Sequence, residues 1–356
     1  MSFKIGSRII SNKHSPLIIF EISANHQKSK KKIIKLIDEA SKAGAEAIKF
    51  QTFKLDEMTI NSNRNEFLIK NKFKNEKWNN RNLYSLYKEA QFPFEWHKEI
   101  FNYAKKKKLI CFSSVFDQYS LDFLEDMDVV AYKIASLESM HFSLLKKICK
   151  TNKPLIVSTG TLSIKEIDML VSFLKKNAKS KFAILHCVTE YPAEYKNLNL
   201  KTISYLRKKY NCPIGFSDHS KGIGAAIASI SLGACIIEKH FKLKGQNKSL
   251  DSDFSADPNM MKILVQETKN AWLSQGKIKK NINGAEKIYK KYSRSIYVTE
   301  DIRKGELLSN QNIKVIRPGL GVSPIYYDKL VGKKSPINLI KNTPLKKNFL
   351  KKIKLA

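Results

Sequence analysis

Cys235-Ile236-Ile237-Glu238-Lys239-His240 is apolar for three residues and then carries an acid, a base and an imidazole in succession. A run this short and this rich in isoleucine reads as a strand buried on both faces, with its polar groups at the carboxyl end. Seven more runs share the design: Leu17–Ser23, Ala47–Gln51, Leu109–Ser113, Val129–Ile134, Pro154–Ser158, Phe182–Cys187 and Pro213–Ser217. Each is followed by a stretch of helical spacing. After the first, Ile33, Ile34, Ile37 and Ala40 line one face and lysines the other. Strands alternating with helices predict a parallel sheet, and eight such units over roughly 270 residues suit an α/β fold, the closed (β/α)8 TIM barrel. An open doubly wound sheet is the alternative. It usually has fewer strands and a glycine-rich turn after the first, where this chain has Glu21-Ile22-Ser23.

The pattern changes near the end of the barrel segment, which is expected over residues 1–275. Residues 276–292 are polar and lysine-rich, with Gly276 and Gly284, and read as a linker. Residues 293–356 hold short strand-like runs, Ser295–Val298 and Ile313–Ile316 among them, separated by Gly and Pro, and form a small β-rich domain. A long insertion, Asp56 to Glu99, separates the second and third strand units and is expected to shape a substrate site at the barrel mouth.

Composition excludes some classes. No apolar run approaches the ~20 residues of a membrane span. Met1 to Phe20 carries Lys4, Arg8 and Lys13 and is not a secretory signal, so a cytoplasmic protein is expected. The five cysteines are widely spaced and include no C-x-x-C pair, which favours buried free thiols over a disulfide or zinc site. The net charge of +33 is spread along the chain without a recognition module, so a solvated lysine surface is expected, with no nucleic acid and no membrane partner. A basic protein that binds nucleic acid or polysaccharide is the alternative of a different class; phosphate contacts would give it a steep salt dependence. A positive field also draws in anionic substrates.

The strand ends carry the chemistry. They read Glu21 with Asn25 and His26; Lys49 and Gln51; Ser113 and Ser114; Lys133 with Ser136 and Glu138; Ser158 and Thr159; His186; Ser217 with Asp218 and His219; and Glu238 with Lys239 and His240. All carboxyl ends of a barrel face one mouth, so these groups are expected to converge there. His219 and His240 end neighbouring strands and as a pair suit one divalent metal ion, whereas either imidazole alone reads better as a strand cap. Lys49 and Lys133 end otherwise apolar runs, so their ammonium groups must point into the mouth. With Ser136, Ser158 and Ser217 they fit a phosphate and a carboxylate on one small molecule. A Schiff-base aldolase would also want such a lysine but not the histidine pair. Glu21 is open to three roles: metal-shell carboxylate, general base or sugar acceptor. Asp251, in a polar loop after His240, is either a solvated acid or a group that turns toward the metal.

These residues fall into ordered motifs. Glu21-Ile22-Ser23-Ala24-Asn25-His26, Lys49-Phe50-Gln51-Thr52, Tyr132-Lys133-Ile134-Ala135-Ser136, Ser158-Thr159-Gly160, Gly215-Phe216-Ser217-Asp218-His219 and Ile237-Glu238-Lys239-His240-Phe241 resemble the sialic acid synthase family. Arg294-Ser295-Ile296-Tyr297-Val298, Asp301-Ile302-Arg303-Lys304-Gly305-Glu306, Ile316-Arg317-Pro318-Gly319 and Val331-Gly332-Lys333-Lys334 resemble its antifreeze-like, or SAF, domain. Phe67-Leu68-Ile69-Lys70, Leu83 to Ala90 and Ile110-Cys111-Phe112-Ser113-Ser114 are similar to the pseudaminic acid synthases of that family.

The resemblance implies condensation of phosphoenolpyruvate with 2,4-diacetamido-2,4,6-trideoxy-altrose, giving pseudaminate and phosphate. N-acetylneuraminate or legionaminate synthesis is the alternative within the family. The resemblance also implies that Lys49, Ser114, Lys133, Ser136, Ser158 and Ser217 hold phosphoenolpyruvate. It gives His219 and His240 manganese, magnesium or a similar divalent ion, with Glu21, Lys133 and the histidines as catalytic groups. Gln51, Glu138, Tyr191 and Asp251 would face the sugar or the metal shell, and Arg317 would reach the sugar from the other subunit of a domain-swapped homodimer. The chain departs from the family at Val115, where proline is usual. It lacks the usual Gly-Pro in Lys244 to Asp251, and it has Asn71-Lys72-Phe73 where glycines are common.

Overall fold

The structure is a computed structural model and describes residues 2–70, 76–179 and 181–355. Asn71-Lys72-Phe73 lie outside the described residues. The chain divides into two compact units, Met1–Gly276 and Lys277–Ala356.

The first unit opens with a hairpin, β1 (Phe3–Ile5) and β2 (Arg8–Ile10). Eight parallel strands follow: β3 (Leu17–Glu21), β4 (Ala47–Thr52), then, past a small insertion hairpin β5 (Leu68–Ile69) and β6 (Arg81–Asn82), β7 (Ile110–Val115), β8 (Tyr132–Ile134), β9 (Leu155–Ser158), β10 (Phe182–Cys187), β11 (Ile214–Asp218) and β12 (Ile236–His240). They close into a barrel in chain order, with β12 paired to β3 through Ile236↔Leu17 to His240↔Glu21. Every strand read from the sequence is present, within a few residues at each end.

Helices cover the outside because their apolar stripes match the sheet. Lys30–Lys42 buries Ile33, Leu36, Ile37 and Ala40, and its start is fixed by Ser29 accepting from Lys32 N–H. Ile164–Asn177 begins with a capping box between Ser163 and Glu166. The inward faces of the strands, Leu17, Ile19, Ala47, Phe112, Ala131, Ile156, Ala183, Leu185 and Ile236, fill the barrel together with Phe3, Ile5 and Ile10 from the hairpin. The interior is a packed core, as the strand pattern requires. All five cysteines are free thiols; Cys111 is half-buried and the others are buried.

The second unit carries β13 (Ser295–Val298) and β14 (Ile313–Ile316), antiparallel and in register. It has its own core of Ile296, Val298, Ile302, Ile313, Leu330 and Phe349. The stretch read as a linker contains a helix, Gly284–Lys290, started by a capping box of Asn283 and Glu286. That motif lies within a run dominated by lysine, which masked it.

Candidate active site

Side chains alternate along a strand, so only every second strand-end residue faces the barrel axis. One step beyond the core positions on the same faces stand Glu21, Lys49, Ser114, Lys133, Ser158, Cys187, Ser217 and Glu238. The opposite parity corrects the expectation that all strand-end groups converge. Ser113 bonds Thr52, which bonds His97 on an outer helix. His186 meets the Leu198 carbonyl at 2.7 Å and stacks on Phe216. Lys239 donates to Asp218 at 2.9 Å behind the strands. His26 meets the Ala90 carbonyl against Phe92. None of these enters the mouth.

The inward groups form a closed charge network. Lys49 pairs with Glu21, donates to Ser114 Oγ at 2.9 Å, and lies 3.7 Å from Glu238. Lys133 lies 3.5 Å from the other oxygen of Glu238 and donates to the Ile134 carbonyl at 3.2 Å. Ser217 donates to Glu238 at 3.0 Å, and Glu21 accepts from Ser23 N–H at 2.8 Å. All four charged groups are buried. Such burial is tolerable only because two cations face two anions. Burial raises the Glu21 carboxyl to about 7 despite Lys49. Burial pulls the Lys49 ammonium down, but Glu21 and Glu238 outweigh it and hold it above the usual lysine range. Burial lowers Lys133, which shares its carboxylate with Lys49.

The imidazoles of His219 and His240 lie side by side, ring centroids 5.5 Å apart. His219 Nδ1 is 3.0 Å from the Val188 carbonyl and 3.7 Å from Cys187 Sγ. Donation from Nδ1 to that carbonyl leaves a lone pair on Nε2. Burial, reinforced by His219 and the two mouth lysines, holds His240 well below the usual histidine range, so it is a neutral, ligand-ready imidazole. Its buried Nδ1 makes no hydrogen bond and stands 3.6 Å from Asp251 Oδ2. Asp251 also accepts from Ala24 N–H at 3.2 Å, and burial raises its carboxyl. Burial pulls His219 down, but Cys187 beside it outweighs burial and holds it above the usual histidine range. An ion there would displace a proton from His219 and meet the neutral His240 with its orphaned nitrogen. Among the described residues no group of three or more His, Cys, Asp or Glu stands in metal-holding geometry.

The remaining barrel positions lie around the same mouth. Ser136 Oγ accepts from Gly160 N–H at 2.9 Å. Gly160 cannot carry a side chain, since a Cβ there would stand 2.5 Å from Thr189 Oγ1 and 2.9 Å from Ser136 Oγ. Ser158 Oγ and Glu138 Oε2 are buried without hydrogen-bond partners, and burial raises Glu138 to about 7. Gln51 is half-buried on the inward face of β4. The Tyr191 ring lies 4.4 Å from that of His219. Arg317 directly follows β14 in the second unit and is exposed.

The sequence reading missed two partners, Glu238 and Phe254, and it placed Trp78 only in the insertion expected to shape the site. Glu238 was seen as a strand end but given no task; the signal was charge balance, since two buried lysines need two carboxylates. Phe254 packs its ring 4.7 Å from His240, and Trp78 stands 5.1 Å from Tyr191. Both come from loops with no periodicity to flag them.

The NeuB family profile matches residues 36–280, and the SAF domain profile matches residues 293–351. The chain is 40% identical over 320 residues to the pseudaminic acid synthase of Campylobacter jejuni, covering 89% of this chain and 92% of that one. It is 36% identical over 331 residues to the pseudaminic acid synthase of Helicobacter pylori, covering 93% and 96%. The solved N-acetylneuraminic acid synthetase of Leptospira borgpetersenii, a citrate complex, superposes with a TM-score of 0.72 at 32% identity, covering 81% of this chain and 95% of that one. No helix among the described residues is long and apolar enough to cross a membrane. The chain is an enzyme, a sugar acid synthase that belongs to the NeuB family and carries a SAF domain after its barrel.

Proposed function

We propose that this chain is a pseudaminic acid synthase, joining phosphoenolpyruvate, 2,4-diacetamido-2,4,6-trideoxy-β-L-altrose and water to give pseudaminate and phosphate. The observation that carries the chemistry is the buried network of Lys49, Lys133, Glu21 and Glu238 beside the imidazoles of His219 and His240. The choice of sugar is supported by the names of the two relatives above.

In this reading Lys49 and Lys133 hold the phosphate and carboxylate of phosphoenolpyruvate, with Ser114, Ser136, Ser158 and Ser217 as neutral donors. The fixed cations keep two anionic groups in place while charge shifts between them. A divalent ion, manganese or magnesium, held by His219 and His240 would supply Lewis-acid polarisation of the sugar aldehyde. The methylene carbon of phosphoenolpyruvate forms the new bond to that aldehyde carbon. Water then adds to the enol carbon, and Glu21 takes its proton; a carboxyl titrating at about 7 suits that exchange. The hemiketal phosphate formed there loses phosphate by carbon–oxygen cleavage. Gln51, Glu138, Tyr191 and Asp251 orient the sugar. Arg317 reaches it from the SAF unit of a second copy in a swapped dimer. A cytoplasmic setting, where phosphoenolpyruvate is made, belongs to the same proposal.

The test is direct. The enzyme is incubated with phosphoenolpyruvate, manganese and each of three sugars: the altrose derivative, N-acetylmannosamine and the legionaminate precursor. Phosphate release and product mass are measured, and oxygen-18 water should label the keto acid. Turnover only with another sugar overturns the specificity, and label in phosphate overturns the cleavage.

A further inference from the structure

We propose that the rings of Trp78, Tyr191 and Phe254 form an apolar wall that selects a sugar lacking the C6 hydroxyl, with Trp78 the residue that reads C6. This inference rests on the functional reading above and deepens it.

The wall is built by three separate loops beyond the strand ends. Tyr191 follows β10, Phe254 follows β12, and Trp78 comes from the insertion after β4. Tyr191 lies 5.2 Å from Phe254, and Trp78 lies 5.1 Å from Tyr191 and 6.2 Å from Phe254. The wall meets the imidazoles directly, Tyr191 against His219 and Phe254 against His240. Trp78 is anchored there. Its indole N–H donates to the Leu250 carbonyl at 3.1 Å, and the neighbouring Lys77 donates to Ser252 at 2.6 Å and pairs with Asp253. The insertion therefore clasps the loop that carries both Asp251 and Phe254.

Bond formation fixes which end of the sugar lies where. The aldehyde carbon must meet the methylene carbon of phosphoenolpyruvate, which the strand-borne lysines hold. C1 is therefore innermost, and the carbons farthest from it extend past the imidazoles into the loops. There they reach the loops that carry the three rings. The indole N–H donates to the Leu250 carbonyl, so that edge is committed to the loop rather than to a sugar hydroxyl. A methyl group gains contact with an aromatic ring, while a hydroxyl must shed water without replacement. Discrimination by an apolar surface against one added hydroxyl is about 100-fold at most.

The experiment compares kcat/KM for two sugars that differ at one atom: the 2,4-diacetamido-2,4,6-trideoxy-altrose and its analogue with a hydroxyl at C6. The wild type should favour the deoxy sugar by about 10- to 100-fold. Trp78→Ala should bring that ratio close to one, and Trp78→Phe, which keeps a ring but no N–H, should retain most of it. Lys77→Ala should lower both rates together, since it loosens the clasp and leaves the ring. A wild-type ratio near one, or a ratio unchanged in Trp78→Ala, overturns the inference while the condensation itself stands. Failure of the wild type to use either sugar overturns the functional reading instead.

Discussion

Lys239 Nζ lies 2.9 Å from Asp218 Oδ2, and neither side chain has any exposed surface. Each residue immediately precedes one of the paired histidines, His240 and His219. Lys239 also donates to the Ser220 carbonyl at 2.9 Å, while Asp218 accepts from Ser220 N–H and Oγ. The network ties the ends of two adjacent strands from behind, so it fixes the spacing of the imidazoles in front. Substituting Asp218→Asn strands a buried ammonium, a loss of about 3–5 kcal/mol of stability. Calorimetric titration of manganese should show affinity weakened by about 10- to 100-fold, the usual effect of disturbing groups behind metal ligands. A variant that is less stable but binds manganese as tightly as the wild type would confine the pair to a folding role.

Glu238 sits between the two lysines of the mouth, 3.7 Å from Lys49 and 3.5 Å from Lys133. An arriving anion competes with this carboxylate for both cations. Lys49→Met removes a charge-assisted contact and should raise KM for phosphoenolpyruvate by about 10- to 100-fold. Glu238→Gln removes the competitor and should lower that KM, at a cost in stability because Lys133 loses its carboxylate. Steady-state kinetics with unfolding curves on both variants separate the two effects. A rise in KM for both would show that Glu238 shapes the cradle rather than competing with the substrate.

The barrel was legible because its strands are buried on both faces and must be written in continuous apolar letters, as in Phe182 to Cys187. Lys49 and Lys133 were legible for the same reason: a lysine ending such a run has nowhere to go but the mouth. Parity was not legible in those runs. A strand apolar on both sides hides which residue faces in, so His186 and Ser113 looked like site groups until the register placed them behind the sheet. The insertion that carries Trp78 was expected to shape the site, but its contact with Phe254 was illegible for a different reason. Their proximity joins residues 78 and 254 through two irregular loops, and no local pattern encodes such a contact.

His26 and His97 are buried neutral. Burial is the first cause for both and holds each at about 4. His97 is fixed by Thr52 Oγ1 at 2.8 Å and the Pro93 carbonyl at 3.0 Å. Between pH 4 and the ordinary histidine value of 6.5 the unfolded chain binds more protons than the native one. Stability from these groups is therefore complete above 6.5 and is lost as pH falls toward 4. By the conversion of 1.36 kcal/mol per unit, each contributes on the order of 3 kcal/mol to that loss. Glu21 and Glu138, raised to about 7, act in the opposite sense over the same range, so the histidine contribution is read by difference. In urea unfolding from pH 7.5 to 4.5, His97→Gln should start less stable at neutral pH and lose less stability on acidification than the wild type. An unchanged slope in His97→Gln would remove that histidine from the acid response.

Arg317 follows a strand of a unit whose core, around Ile296, Ile313 and Leu345, is separate from the barrel's. A chain ended at Gly276 should therefore unfold cooperatively as a barrel, yet turn over poorly if the SAF unit completes the sugar site. Arg317→Ala should raise KM for the sugar by about 10-fold or more, the loss of a charge-assisted hydrogen bond, and leave KM for phosphoenolpyruvate near that of the wild type. His240→Ala should abolish turnover from within the barrel. Supply of Arg317 by a second copy then has a distinctive consequence. Co-refolded Arg317→Ala and His240→Ala chains would form mixed dimers, in which one site has both an intact barrel and an intact arginine. Activity should rise above that of either variant alone. If mixing restores nothing while mass analysis confirms mixed dimers, the arginine acts within its own chain or not at all.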